Sequence, residues 1–341
     1  RNFGQNRDRE DVGMDRIDSK ASTSAEATHP GGPLRWLESQ KNRLIVLSVL
    51  ALMAMFLPLI SNNYVLEVMT NVWFYVMLCL GLNIVVGYAG LLDLGYAAFF
   101  AVGAYTTGIL TSHFGVNFWL TIPAAVFFSI CAGVIIGGPT LRLRSDYLAI
   151  VTLGFGEIVR IIARNLEITG GASGLIGIEK PSLFGFEISQ ISHFYYVFLV
   201  LACLACFVSY RLQHSRLGRA WQYVREDEDA AEAMGIDRVA IKLYAYVIGA
   251  IFGGVAGCFF AAKMTAISPE TFTFQQSVLI LLGVVLGGMG KIPGVIIGAF
   301  ALVLFPEVFR DLGSSRILVF AIVMLVIMLY RPEGIWPEKK S

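Results

Sequence analysis

Seven stretches of this chain contain no Asp, Glu, Lys or Arg: 44–66, 68–92, 94–141, 188–210, 243–262, 271–290 and 292–306. A helix needs roughly 20 mostly apolar residues to cross the hydrocarbon core of a bilayer, and a chain with so many uncharged runs has few other ways to fold. The longest run, 94–141, holds two such helices, parted near His113-Phe-Gly-Val-Asn117. The pattern is that of an all-α, polytopic membrane bundle with ten spans: 44–60, 66–86, 93–112, 118–138, 147–167, 194–210, 243–262, 273–289, 293–309 and 315–330. The third, ninth and tenth are the candidates for re-entrant or half-length segments, which bilayers tolerate where other helices cover them.

Composition excludes the common alternatives. Only 15% of the 341 residues are charged and 56% are apolar, with a mean hydropathy of +0.68. Soluble domains carry about 25% charged residues, so a water-soluble enzyme, a nucleic-acid binder and a disordered scaffold are all ruled out. The net charge of +1 names no partner.

Where the charges lie is more informative. With the N-terminus inside, the inner segments are 1–43, 87–92, 139–146, 211–242, 290–292 and 331–341, and they hold 20 of the 26 Lys and Arg. Inner loops carry this excess in membrane proteins. Removing one span would swap the sides of everything downstream and spoil the bias. Both termini are therefore expected in the cytoplasm, around a permease domain at 44–330 and a short C-terminal tail at 331–341.

The first 43 residues contain eight basic and seven acidic side chains and no apolar run. They read as a disordered cytoplasmic tail, not as a signal peptide, which needs an apolar stretch behind its basic start. The chain opens on Arg1 rather than Met, as expected of a start at an internal residue.

No catalytic or metal-binding constellation stands out. Cys79, Cys131, Cys203, Cys206 and Cys258 all fall inside apolar spans. Cys203 and Cys206 have the spacing of a redox or zinc motif, yet in an apolar helix without further ligands they read as small packing residues. A phosphate-binding loop is missing too: Gly290-Lys291 is followed by Ile292 rather than a hydroxyl residue. The chain is expected to be a non-enzyme that does not hydrolyse ATP.

Small residues recur at the four-residue spacing that lets membrane helices approach closely. Gly249, Gly253, Gly257 and Ala261 form one ridge, and Gly133 with Gly137, Gly283 with Gly287, and Gly294 with Gly298 repeat it. A faint internal repeat is also visible. Gly87-Tyr-Ala-Gly90, Gly95 and Gly103-Ala104 resemble Gly287-Gly-Met-Gly290, Gly294 and Gly298-Ala299, which would set two halves in parallel orientation.

The longest inner loop, 211–242, carries its own structure. Leu217, Ala220, Trp221 and Val224 make an apolar stripe at helical spacing. An acidic run at 226–229 leads into a second, Ala-rich helix over 230–234, with Gly235 as its C-cap. Such a helix pair suits docking into a groove on a cytoplasmic protein.

Within that loop Asp229-Ala-Ala-Glu-Ala-Met-Gly235 resembles the Glu-Ala-Ala-x-x-x-Gly loop of ABC importer permeases, with Asp in place of the first Glu. The resemblance sharpens along the chain. Gly87-Tyr-Ala-Gly-Leu-Leu-Asp-Leu-Gly-Tyr96, Leu141-Arg-Leu-Arg-Ser-Asp-Tyr-Leu-Ala-Ile-Val-Thr-Leu-Gly-Phe-Gly-Glu-Ile-Val-Arg160 and Glu167-Ile-Thr-Gly-Gly171 look like the LivM-type permease of branched-chain amino-acid importers. So do Gly218-Arg-Ala-Trp221, Arg225-Glu-Asp-Glu228, Ser268-Pro-Glu-Thr-Phe272, Val285-Leu-Gly-Gly-Met-Gly290 and Arg331-Pro-Glu-Gly334.

That resemblance implies a multi-pass protein of the bacterial inner membrane, working with a second, similar permease. It further implies two cytoplasmic ATPase subunits, which would hold the ATP and Mg, and a periplasmic amino-acid-binding protein. No cofactor is expected on this chain. The residues expected to couple to the ATPase are Trp221, Val224, Asp229, Ala230, Ala231, Met234 and Gly235.

A zwitterionic amino acid crossing a bilayer needs polar partners for its charged end and an apolar wall for its side chain. Broken helices supply backbone groups for the first purpose. Two glycine-bearing segments are expected to break and to line the path: 87–103, with Asp93, Tyr96 and Phe99, and 153–157, with Gly154, Gly156 and Glu157; the 287–294 glycines are a candidate third wall. Glu157 also lies three residues from Arg160 and has a paired, structural role open to it. Two other functional readings stay open. One is an ABC permease for other neutral amino acids or urea. The other is an ion-coupled secondary amino-acid carrier, for which Asp93, Glu157 and Glu307 are the candidate carboxylates.

Overall fold

The computed structural model describes residues 55–58, 61–141, 145–183, 186–313, 315–330 and 334. Residues 1–57 and 58–341 cluster as separate units, and the helical bundle lies in the second. Most of the expected first span at 44–60, the 1–43 tail and the C-terminal tail apart from Gly334 lie outside the described residues.

The bundle begins with α1 (Asn63–Asn83), whose last turn widens into a π-helix over Ile84–Tyr88. Then come α2 (Ala97–Ser112), α3 (Phe118–Thr140), α4 (Ser145–Asn165) and α5 (Ile191–Gln213). The 211–242 loop contains α6 (Arg216–Glu226) and α7 (Glu228–Ala233). The chain ends with α8 (Arg238–Met264), α9 (Phe274–Gly287), α10 (Ile292–Val308) and α11 (Ser315–Tyr330). Nine of the ten expected spans are thus helices at the expected places.

Among the described residues, five helices are long and apolar enough to cross a membrane: Asn63–Tyr88, Phe118–Thr140, Ile191–Gln213, Arg238–Met264 and Pro269–Gly287. The third, ninth and tenth expected spans are shorter, with 16, 17 and 16 residues in α2, α10 and α11. At 1.5 Å per residue a helix of that length covers about 24 Å, less than the ~30 Å of a hydrocarbon core.

One expectation fails. The segment 153–157 is not broken, because α4 runs through Gly154 and Gly156 without interruption. A helix-interior glycine costs only about 1 kcal/mol relative to alanine, and packing of Leu148, Thr152 and Ala163 against the bundle outweighs that. The break at 87–96 is real: the residues between Ala89 and Tyr96 belong to no regular helix.

α8 is the central column, packed against α1, α2 and α3. Its glycine ridge is what brings the neighbours close. A Cβ on Gly257 would fall on the Phe100 carbonyl oxygen, one on Gly254 on Ser129 Oγ, and one on Gly249 at 2.5 Å from Val85. A second close pair forms between α9 and α10, where a Cβ on Gly298 would strike the Gly283 carbonyl. Aromatic rings fill the space beside these contacts, with Phe99 edge-on to Tyr246 at 5.3 Å and Phe100 edge-on to Phe260 at 4.9 Å.

Short strands close the end of the bundle opposite the 211–242 loop. β1 (Leu175–Ile176) pairs antiparallel with β4 (Ala266–Ile267), setting Leu175 opposite Ile267, and β2 (Ser182–Leu183) pairs with β3 (Phe186–Glu187). Trp119 Nε1 donates to the Ser182 carbonyl at 2.7 Å and ties this cover to α3.

Candidate functional site

The structure brings the two glycine segments together, although it turns them different ways. Asp93 accepts from the Gly95 amide at 2.8 Å, and the Leu94 amide donates to Thr152 Oγ1 of α4 at 3.1 Å. The Ala97 amide donates to Ser277 Oγ of α9 at 2.9 Å. Amides freed by the break are thus taken up by side chains of neighbouring helices, as buried backbone groups must be. A Cβ on Gly95 would fall on the Thr152 carbonyl, and one on Gly156 would lie 3.4 Å from the Gly95 Cα.

Asp93, Tyr96 and Phe99 are buried in the core of this chain. Tyr96 donates its hydroxyl to the Gly249 carbonyl at 3.0 Å, and Phe99 sits against Phe155 and Tyr246. Tyr96 and Phe99 thereby hold this part of the chain against α8 and α4.

Gly154 and Glu157 lie on the opposite side of α4. A Cβ on Gly154 would meet nothing within 4 Å. Around it at helical spacing stand Tyr147, Ile150, Val151, Ile158, Ile161 and Ile162, all exposed. Glu157 interrupts this apolar face. Arg160 donates to it from Nε at 2.9 Å and approaches it from Nη2 at 2.8 Å, while Nη1 reaches Glu270 at 3.3 Å. The remaining carrier candidate, Glu307, pairs with Arg310 at 3.8 Å.

The 211–242 loop folds as a capped helix pair. Ser215 caps α6 by accepting from the Gly218 amide at 3.2 Å, and Asp227 caps α7 by accepting from the Asp229 and Ala230 amides at 3.0 Å. Gly235 takes φ +86°, and bonds from Gly235 N to Glu232 O and Ile236 N to Ala231 O end the helix, as a left-handed glycine allows.

The apolar stripe of α6 does not present a docking face, and here the expectation is corrected. Trp221 is 0% exposed and Val224 1%, because the stripe is spent on the bundle itself. Trp221 donates to the Ile241 carbonyl at 2.8 Å and stacks on Tyr88 with centroids 6.4 Å apart. Ala231 is buried as well, and Glu228 reaches the 3%-exposed Lys242 at 2.5 Å. Removing a buried Trp costs about 3–5 kcal/mol. The exposed pair Asp229–Arg238, at 3.4 Å, belongs to a class worth roughly 0–1 kcal/mol. Packing holds the loop; surface charge does not.

What the loop does present is Met234, 82% exposed, beside the exposed Ala230, Asp229, Gly235 and Tyr223. Sequence alone could not separate these from Trp221, because hydrophobic spacing gives a stripe without saying which body covers it.

Residues 64–330 match the family described as branched-chain amino acid transport system permease component. The LivM permease protein of the high-affinity branched-chain amino acid transport system of Salmonella typhimurium is 43% identical over 87% of this chain and 75% of its own. The probable LivM permease of Methanocaldococcus jannaschii is 28% identical over 80% of this chain and 93% of its own. LivH of the Escherichia coli high-affinity system is 24% identical, covering 76% and 90%. No solved structure matches the chain.

Proposed function

The chain belongs to the family of branched-chain amino acid transport permeases, and from that premise we propose that it is the permease subunit of an ATP-driven, binding-protein-dependent importer of hydrophobic amino acids. It works beside a second, similar permease. Two cytoplasmic ATPases dock on the 211–242 loop, and a periplasmic binding protein delivers the substrate. Both termini and this loop face the cytoplasm, as the distribution of Lys and Arg favours.

The observation that carries this reading is the build of the loop. Two capped helices are bolted to the bundle through Trp221 and Lys242, yet they leave Met234 and Ala230 bare at the tip. A rigid body with an apolar knob can pass a push from a partner to the helices behind it. A free linker cannot.

For the substrate, the outward face of α4 has the required chemistry. Ile150, Ile158 and Ile161 offer an aliphatic wall, Gly154 leaves room, and the Glu157–Arg160–Glu270 group offers both signs of charge to a zwitterion. This face and that of the second permease enclose the path.

The test is Met234→Asp in the assembled complex. The side chain is solvent-exposed, so the fold is retained, while a charge placed in an apolar docking contact costs several kcal/mol. Leucine uptake and ATPase association should both fall, and parental uptake in this variant defeats the docking assignment. Leucine movement by the purified chain in ATPase-free liposomes under a proton or sodium gradient would favour the secondary carrier instead.

A further inference from the structure

We propose that Arg225 is a positioning residue that clamps the two glycine turns of the bundle, 87–90 and 287–290, to α6, so that displacement of the loop reaches the π-turn at the end of α1. The proposal rests on the reading of 211–242 as the ATPase-coupling loop. Arg225 lies outside the residues that sequence singles out for coupling.

The two turns are 200 residues apart in the chain and meet at this junction. Arg225 Nη1 donates to the Gly87 carbonyl at 2.6 Å. The Gly290 amide donates to Asn83 Oδ1 at 2.8 Å, and Gln213 Nε2 of α5 donates to the Gly290 carbonyl at 3.2 Å. A Cβ on Gly87 would lie 2.6 Å from the Gly290 amide, one on Gly90 2.8 Å from Arg225 Cγ, and one on Gly290 3.3 Å from Arg225 Nη1. The near-parallel stack of Tyr88 on Trp221 seals the same contact from the other side. Even the C-terminal motif joins it: a Cβ on Gly334 would stand 2.6 Å from Gly288 Cα. Loop, α1, α5 and the α9–α10 turn therefore meet around Arg225, Gly87, Gly90 and Gly290.

Two features make this junction a movable element rather than ordinary packing. Gly87 belongs to the π-helix Ile84–Tyr88, a wide turn that appears mostly as a single insertion at functional positions. The Gly87 carbonyl, in the last turn of this helix, has no intrahelical donor and accepts from Arg225. Second, Asn83 Nδ2 and Tyr88 Oη, at the two ends of that turn, are buried and make no hydrogen bond among the described residues. Unsatisfied buried donors are costly, so this arrangement leaves bonding capacity that a shifted turn would use. A charge-assisted bond from Arg225 is strong enough to select between such arrangements. When the loop moves, the guanidinium carries Gly87 with it, and Asn83 carries Gly290.

The experiment uses the whole complex, with second permease and ATPases, in proteoliposomes supplied with leucine-loaded binding protein. Its readout is leucine imported per ATP hydrolysed, measured for the parent, Arg225→Ala, Arg225→Lys, Asn83→Ala and the Arg225→Ala/Asn83→Ala double variant. The ratio should fall about tenfold in Arg225→Ala, the scale of one lost charge-assisted hydrogen bond. Arg225→Lys, with one donor in place of a planar fork, should fall between, and the double variant should be no worse than the poorer single. A parental ratio in Arg225→Ala, or a loss confined to the amount of complex assembled, overturns the clamp. Should Arg225→Ala fail to assemble, a parental ratio in Arg225→Lys overturns it equally. If the parental chain does not retain the ATPases at all, the coupling-loop reading fails and takes this proposal with it.

Discussion

Helices α8 and α4 carry the same kind of residue for opposite ends. On α8 each ridge glycine is pressed by this chain: Gly257 by the Phe100 carbonyl, Gly253 by the Phe99 Cβ at 3.0 Å and Gly249 by Val85 at 2.5 Å. On α4, Gly156 touches the Gly95 turn, whereas Gly154 looks out onto nothing within 4 Å. A small residue in a membrane helix signals that something comes close. Only its surroundings tell whether that something is the same chain. For α8 it is. At Gly154 no described residue comes within 4 Å of a Cβ.

The largest effect should come from filling the α8 ridge. Gly257→Leu forces side-chain atoms into the Phe100 carbonyl and the backbone of Ala104, so it should cost the upper end of the about 1–3 kcal/mol typical of overpacking, or more. Size-exclusion chromatography in detergent should show little monodisperse protein. If this variant is well folded and transports like the parent, the ridge is not the chain's own packing seam.

Gly154→Leu sharpens the contrast from the other side. Stability of the isolated chain should stay within about 0.5 kcal/mol, as for surface substitutions, because a Cβ at this position has open space around it. Uptake by the complex should drop to background. A thermal transition shifted as far as that of Gly257→Leu would erase the distinction between the two helices, and parental uptake would remove the α4 face from the path.

A smaller change is expected from Glu157→Gln. Arg160 keeps Glu270, so the half-exposed network loses at most ~1 kcal/mol. If the Glu157–Arg160 group meets the zwitterion, KM for leucine should rise about fivefold, the equivalent of ~1 kcal/mol in binding. Unchanged kinetics would make the group a structural tie between α4 and the turn bearing Glu270.

Read along the chain, apolar runs determined the order and approximate limits of nine helices. They did so because lipid burial is a property of whole segments, which composition reports directly. The α7 terminator was equally legible, since a helix that stops at Gly235 needs only local backbone geometry. What sequence could not reach was direction. Trp221 and Met234 are both apolar residues of one loop, yet one is enclosed by Tyr88 and Ile241 and the other is bare. Asp93 and Glu157 are both carboxylates beside glycines, yet one is sealed against Gly95 and the other stands with Arg160 on an outer face. The meeting of Gly87 with Gly290 around Arg225 was invisible for the same reason. Periodicity fixes which residues share a side of a helix; which side is covered, and by what, depends on contacts between residues up to 207 positions apart, and only the tertiary structure decides those.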